Sequence, residues 1–241
     1  MGKLTSLFKS ILKSDAEVEP TPTAPAPAPE PTPEPKADDT PKTDDAPAAD
    51  VEPKDVEPKT DDTPASVAKL VQKVNAFHKS YPEWPLPASV CVFSNFAATV
   101  KEVRKEDFNI TVVSACFPSS QSFLEVKLKE VEMAVEQGAD EVDIVLALNA
   151  FLAGNYEVAA EEIRQVRRVI DEVAGKQGRS VHLKVILETG LLKTPENIAN
   201  ASFLAMEAGA DFIKTSTGKV DVNATPLAAY VMCECIGIYR M

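Results

Sequence analysis

The chain has 241 residues, with 25 Lys and Arg against 37 Asp and Glu, for a formal net charge of −12. An acidic balance argues against a protein whose affinity would rest on Lys and Arg neutralising phosphates, so no nucleic-acid partner is expected. Four cysteines with no Cys-x-x-Cys pair and two histidines argue against a zinc site, and no stretch approaches the roughly 20 apolar residues of a membrane span; a reducing cytoplasm is the expected address.

In chain order, residues 1–14 come first. Leu4, Leu7, Phe8, Ile11 and Leu12 fall on one helical face, and Lys3, Lys9 and Lys13 add positive charge. Two readings stay open: a short amphipathic leader that contacts a membrane surface or a partner protein, or a frayed leader with no role. Residues 15–65 read as an acidic Pro-rich linker. Of the 19 prolines in the chain, 13 fall between Pro20 and Pro64, and residues 1–65 carry −8 of the net charge. Asp50-Val-Glu-Pro-Lys54 repeats at once as Asp55-Val-Glu-Pro-Lys59. Such a composition cannot bury a core, which predicts an extended, semi-rigid and disordered segment.

From residue 66 to 241, apolar β-branched runs alternate with stretches of helical period, the pattern of βαβ units around a parallel sheet. The predicted elements are a strand over 89–93, a strand over 109–116, a helix over 122–137, a strand over 141–146, and a helix whose Ile163, Val166, Ile170 and Val173 share a face. A strand over 182–188, a helix over 195–209 and a strand carrying Lys214 follow, and of Cys233 and Cys235, two apart on a last helix, one is expected at a core position and the other at a surface position. Gln137-Gly-Ala-Asp140 and Ala208-Gly-Ala-Asp211 punctuate the chain in the same way, each a helix stop feeding a buried strand. This pattern suits a barrel or an open doubly wound sheet, and periodicity separates the two poorly.

The polar residues discriminate better. Strand alternation puts Asp143 opposite Val142 and Ile144, Lys184 opposite Leu183 and Val185, and Lys214 opposite Ile213. If helices cover the apolar faces, Asp143, Lys184 and Lys214 converge on a barrel interior as a mutually compensating cluster. Buried charges are costly unless paired, so a purely stabilising ion-pair network is one reading and a functional site is the other. A lysine of ordinary pKa, about 10.4, is protonated at neutral pH and attacks carbonyls poorly until burial or a nearby cation lowers that value. Lys184 and Lys219 are the candidate cations, Lys214 the candidate nucleophile and Asp143 the candidate proton shuttle.

Asp211-Phe-Ile-Lys-Thr-Ser-Thr-Gly-Lys219 followed by Asn223-Ala-Thr-Pro226 resembles the signature of deoxyribose-phosphate aldolases, and Leu183-Lys-Val-Ile-Leu-Glu-Thr-Gly190 and Gly138-Ala-Asp-Glu-Val-Asp143 resemble it too. The resemblance implies a (β/α)8 TIM barrel. It also implies Schiff-base chemistry at Lys214 with Asp143 in the proton relay, and Gly218 and Lys219 at the substrate phosphate, beside the catalytic part that the strand pattern gives Lys184. The implied reaction is reversible cleavage of 2-deoxy-D-ribose 5-phosphate, a small phosphorylated sugar, to D-glyceraldehyde 3-phosphate and acetaldehyde. No metal or organic cofactor is implied, and a homodimer is an expected assembly. The chain departs from the pattern at both ends: the family's first strand and its Gly-Phe-Lys-Pro-Ala-Gly-Gly motif are absent, and five strands are expected where a closed barrel has eight. An incomplete, truncated barrel is therefore expected. Its alternative function is that of a catalytically impaired fragment or interaction protein working through its leader and linker.

Overall fold

A computed structural model describes residues 58–241. The predicted leader, and the predicted linker up to residue 57, lie outside the described residues. Among the described residues, regular structure begins just ahead of the boundary expected at residue 66, with helix α1 over Pro64–Asn75. The reason is local. The Thr63 side chain accepts the Ser66 amide while Ser66 accepts the Thr63 amide, and Pro64 occupies the first helical position, where its missing N–H costs nothing. A proline that reads as part of a tail is thus a helix start, and α1 buries Val67, Val71 and Val74.

After the single turn α2 (Phe77–Ser80), strands and helices alternate: β1 (Ser89–Phe93), α3 (Ala97–Val103), β2 (Asn109–Val113), α4 (Leu124–Glu136), β3 (Glu141–Val145), the short α5 (Leu148–Leu152), α6 (Tyr156–Lys176), β4 (His182–Ile186), the one-turn α7 (Thr189–Leu192), α8 (Pro195–Glu207), β5 (Phe212–Lys214) and α9 (Pro226–Tyr239). Three strands are shorter than the sequence pattern suggests, β3 by one residue and β2 and β4 by more. Ala115 and Cys116 after β2, and Glu188 after β4, have φ of 55°, 63° and 56°, left-handed conformations in which a strand cannot continue. Cys233 is exposed and Cys235 buried on α9.

The strands form one five-stranded sheet in the order β1-β2-β3-β4-β5, and each pairs with the next in parallel. A doubly wound sheet reverses its strand order at a switch point. This order never reverses, which makes the sheet an arc of barrel type and settles the choice that periodicity left open. Among the described residues β1 and β5 each pair on one side only.

Successive helices lie against one another on one face of the arc, α4 against α6, α6 against α8, and α8 against α9. Their apolar stripes, among them Val131, Val135, Ile163, Val166, Ile170, Ala201 and Leu204, join Ile110, Val112, Val142, Ile144, Leu183 and Val185 in a single buried core. Strand alternation then gives the opposite face to Thr111, Glu141, Asp143, Lys184 and Lys214.

The repeated Gly-Ala-Asp joints do the same physical work twice. Gly138 and Gly209 end their helices with φ of 106° and 105°, a region that favours glycine. Asp140 then exchanges backbone and side-chain bonds with Ile110, donating its amide to the Ile110 carbonyl at 2.8 Å and accepting the Ile110 amide on Oδ2 at 2.9 Å. Asp211 does the same with Leu183, at 2.9 and 2.7 Å. An arginine completes each joint, Arg104 on Asp140 at 3.0 Å and Arg167 on Asp211 at 2.9 Å.

Candidate active site

The ladder register sets the site. Asp143 on β3 is level with Lys184 on β4, and Lys214 on β5 is level with Ile186, one inward-facing position further along. Both lysines therefore reach the same carboxylate. Lys184 Nζ donates to Asp143 Oδ1 at 3.0 Å and Lys214 Nζ to Asp143 Oδ2 at 3.3 Å. The Asp143 side chain is 2% exposed, that of Lys184 17% and that of Lys214 28%. The carboxylate is thus shut from water while the second amine keeps an open side. The three residues read as a cluster from strand alternation are brought together as expected.

Two further residues complete the cluster. Glu141 lies two positions before Asp143 and so on the same face, and its Oε2 pairs with Lys184 Nζ. Thr111 on β2 donates its hydroxyl to Glu141 Oε2 at 2.5 Å and accepts from Lys184 Nζ at 3.2 Å, while Asn109 donates to Glu141 Oε1 at 2.8 Å. Burial alone would push the Glu141 carboxyl up; hydrogen bonds from Lys184, Thr111 and Asn109 outweigh it and hold the group below the ordinary carboxylate range. Charges alternate along the line Glu141, Lys184, Asp143, Lys214. Glu141 anchors Lys184 from one side, so that Lys184 faces Asp143 as a fixed cation. The alternation that selects Asp143 also selects Glu141, and applying it to every polar residue of the strand would have found both.

The residues expected at a phosphate sit elsewhere. Gly218 and Lys219 belong to the loop after β5, where Gly218 has φ 77°. Lys219 Nζ donates to the Pro58 carbonyl at 2.7 Å, and no bond joins it to Asp143. The cation that shares Asp143 with Lys214 is therefore Lys184, and Lys219 is not part of that cluster. His182, at the first position of β4, stacks edge-on against Phe212. No group of three or more His, Cys, Asp or Glu side chains among the described residues is arranged to hold a metal ion. No helix among them is long and apolar enough to cross a membrane.

A cavity of about 290 Å³ opens between the N-terminal ends of α8 and α9, lined by Thr189, Lys193, Ile198, Val222 and Ala228 among others. It contains none of Asp143, Lys184 or Lys214. The ionisable groups converge on the open inner face of the sheet, away from this cleft.

The chain has known relatives. The profile of DeoC/LacD family aldolases matches residues 55–241. Human deoxyribose-phosphate aldolase is 44% identical over 152 residues, which cover 62% of this chain and 45% of the human protein. A Caenorhabditis elegans relative that carries the same name provisionally is 43% identical over 151 residues, 61% of this chain and 47% of that protein. The chain thus spans about half the length of the curated relatives it matches. Among solved structures, one described as "QR15, an Aldolase" superposes with a TM-score of 0.65 at 28% identity, covering 75% of this chain and 73% of its own.

Proposed function

The chain belongs to the DeoC/LacD family of aldolases, and from that premise we propose that it cleaves 2-deoxy-D-ribose 5-phosphate reversibly to D-glyceraldehyde 3-phosphate and acetaldehyde, through a Schiff base at Lys214. The observation that carries the reading is the shared carboxylate: one buried Asp143 with a lysine on each oxygen.

In this reading the two lysines divide the work. Lys184 is held by Glu141 and Thr111 as well as Asp143. Its charge disfavours a second cation nearby and so favours the uncharged amine of Lys214. That amine adds to the C1 carbonyl of the open-chain sugar, and loss of water from the carbinolamine leaves an iminium. The electron-poor iminium draws the electrons of the C2–C3 bond as it breaks. The C3 hydroxyl gives up its proton and becomes the aldehyde of glyceraldehyde 3-phosphate, and the two remaining carbons stay on Lys214 as an enamine. Protonation of the enamine carbon and addition of water release acetaldehyde and restore the amine. Asp143, 3.3 Å from the nucleophile, moves the protons of these steps. Gly218 and Lys219 hold the phosphate, the Lys219 ammonium exchanging the neutral Pro58 carbonyl for a phosphate oxygen.

The test is the release of acetaldehyde from 2-deoxy-D-ribose 5-phosphate by the purified chain, beside Lys214→Ala. Release by the parent and none by the variant is expected. Release that survives the substitution overturns the assignment of Lys214, and none from the folded parent overturns the activity.

A further inference from the structure

The residues that follow β4 grip the loop that follows β5. Leu187 donates its amide to the Lys214 carbonyl at 2.9 Å and Thr189 to the Thr215 carbonyl at 2.9 Å, so the two segments run side by side past the end of the regular ladder. Between these two bonds sits Glu188, with φ 56° and ψ 58°. That conformation is unfavourable for a residue with a Cβ and persists only where its surroundings over-determine it. Glu188 Oε1 accepts the Thr217 amide at 3.2 Å and Oε2 accepts the Thr217 hydroxyl, and Thr217 Oγ1 in turn accepts the Lys219 amide at 3.1 Å. Glu188 is 2% exposed and Thr217 0%. Gly190 closes the grip from the other side, since a Cβ there would lie 2.0 Å from the Val222 carbonyl oxygen.

A buried carboxylate that takes both donors of one buried residue is arranged to hold a loop still. We propose that Glu188 is a positioning residue: acting through Thr217, it fixes the conformation of Gly218 and Lys219 and so pre-aims this loop at the substrate phosphate. The inference rests on the phosphate role given above to those two residues. It also sharpens that role. Because the Lys219 amide is already bonded to Thr217 Oγ1, the loop presents the Gly218 amide and the Lys219 ammonium to the anion. Donors held in place before the ligand arrives are not ordered at its expense, which is why loss of the clamp is read in binding.

Thr217→Val removes the linking hydroxyl at nearly constant shape, Thr217→Ser restores it, and Glu188→Gln weakens the acceptor. Two readouts on the full chain separate the possibilities: titration with inorganic phosphate, and borohydride trapping of acetaldehyde, which carries no phosphate, on Lys214. Thr217→Val is expected to weaken phosphate about tenfold, the usual scale for one lost hydrogen bond to a charged group, here the Glu188 carboxylate. Thr217→Ser is expected to stay within about twofold of the parent, and trapping to remain at parent level in both. Glu188→Gln is expected to weaken phosphate by a smaller factor, and it decides the matter if Thr217→Val fails to fold. Unchanged phosphate binding, parallel loss of phosphate binding and trapping, or a parent chain that binds no phosphate would each overturn the clamp. A parent that binds phosphate but is not trapped overturns the Schiff-base reading and leaves the titration to judge the clamp.

Discussion

Three aspartates of the sheet have opposite employments. Asp140 and Asp211 stand where the chain enters β3 and β5, each bonded to a backbone amide of the strand alongside and to an arginine. Asp143 stands inside the arc between two lysines. The partner residue explains the difference. A guanidinium stays charged at any pH a protein meets, so an Asp–Arg joint is a fixed clip. An ammonium can be made to give up its proton, and a carboxylate between two of them can hold one lysine charged while the other works as an amine.

The largest effect expected from breaking this contrast comes from bringing the clip's chemistry into the site. Lys214→Arg places a permanent cation beside Asp143 and cannot form an imine; acetaldehyde release is expected to fall by a factor of about 10³ or more, with the thermal midpoint close to that of the parent. Asp143→Asn leaves two lysines without their shared negative charge and removes the proton carrier, so a fall of about 10²–10⁴ in kcat is expected from steady-state kinetics.

Asp140→Ala should behave in the opposite way. It removes the Arg104 bridge and the acceptor for the Ile110 amide, so denaturant titration is expected to show a loss of about 1–3 kcal/mol, while the folded molecules turn over substrate at the parent rate. The smallest effect is a pH slope. Because the folded protein holds the Glu141 carboxyl below its ordinary range, the group contributes stability at pH values above the ordinary carboxylate pKa of about 4.3, and that contribution is lost as pH falls through the lowered value. Urea midpoints measured from neutral pH downward should therefore fall less steeply in Glu141→Gln than in the parent.

The sequence pattern carried more of the fold than of its boundaries. Alternation of valines and isoleucines places all five strands, since burial between a helix layer and an inner face imposes a strict period of two. Strand ends were overrun at Ala115, Cys116 and Glu188 because a left-handed turn by a residue other than glycine leaves no mark in composition. Pro64 reads as tail in the sequence because proline signals both a linker and a helix's first turn, and only the reciprocal Thr63–Ser66 bonds decide between them.

In the site, Asp143, Lys184 and Lys214 were legible because a charge in an apolar strand stands out. Glu141, at the strand's first position, obeys the same rule. Thr111, a neutral residue in the β-branched run of β2, reveals its part only through its bonds to Glu141 and Lys184. Sequence proximity to Lys214 groups Lys219 with the other lysines but gives no direction to a loop, and its side chain turns instead to Pro58.

The most direct test of the division of labour between the lysines is to treat the 241-residue chain with acetaldehyde and borohydride and to locate the modified residue by peptide mass. An ethyl group on Lys214 and none on Lys184 is the predicted result. Modification of Lys184 in preference to Lys214, or an unmodified folded chain, would contradict the account.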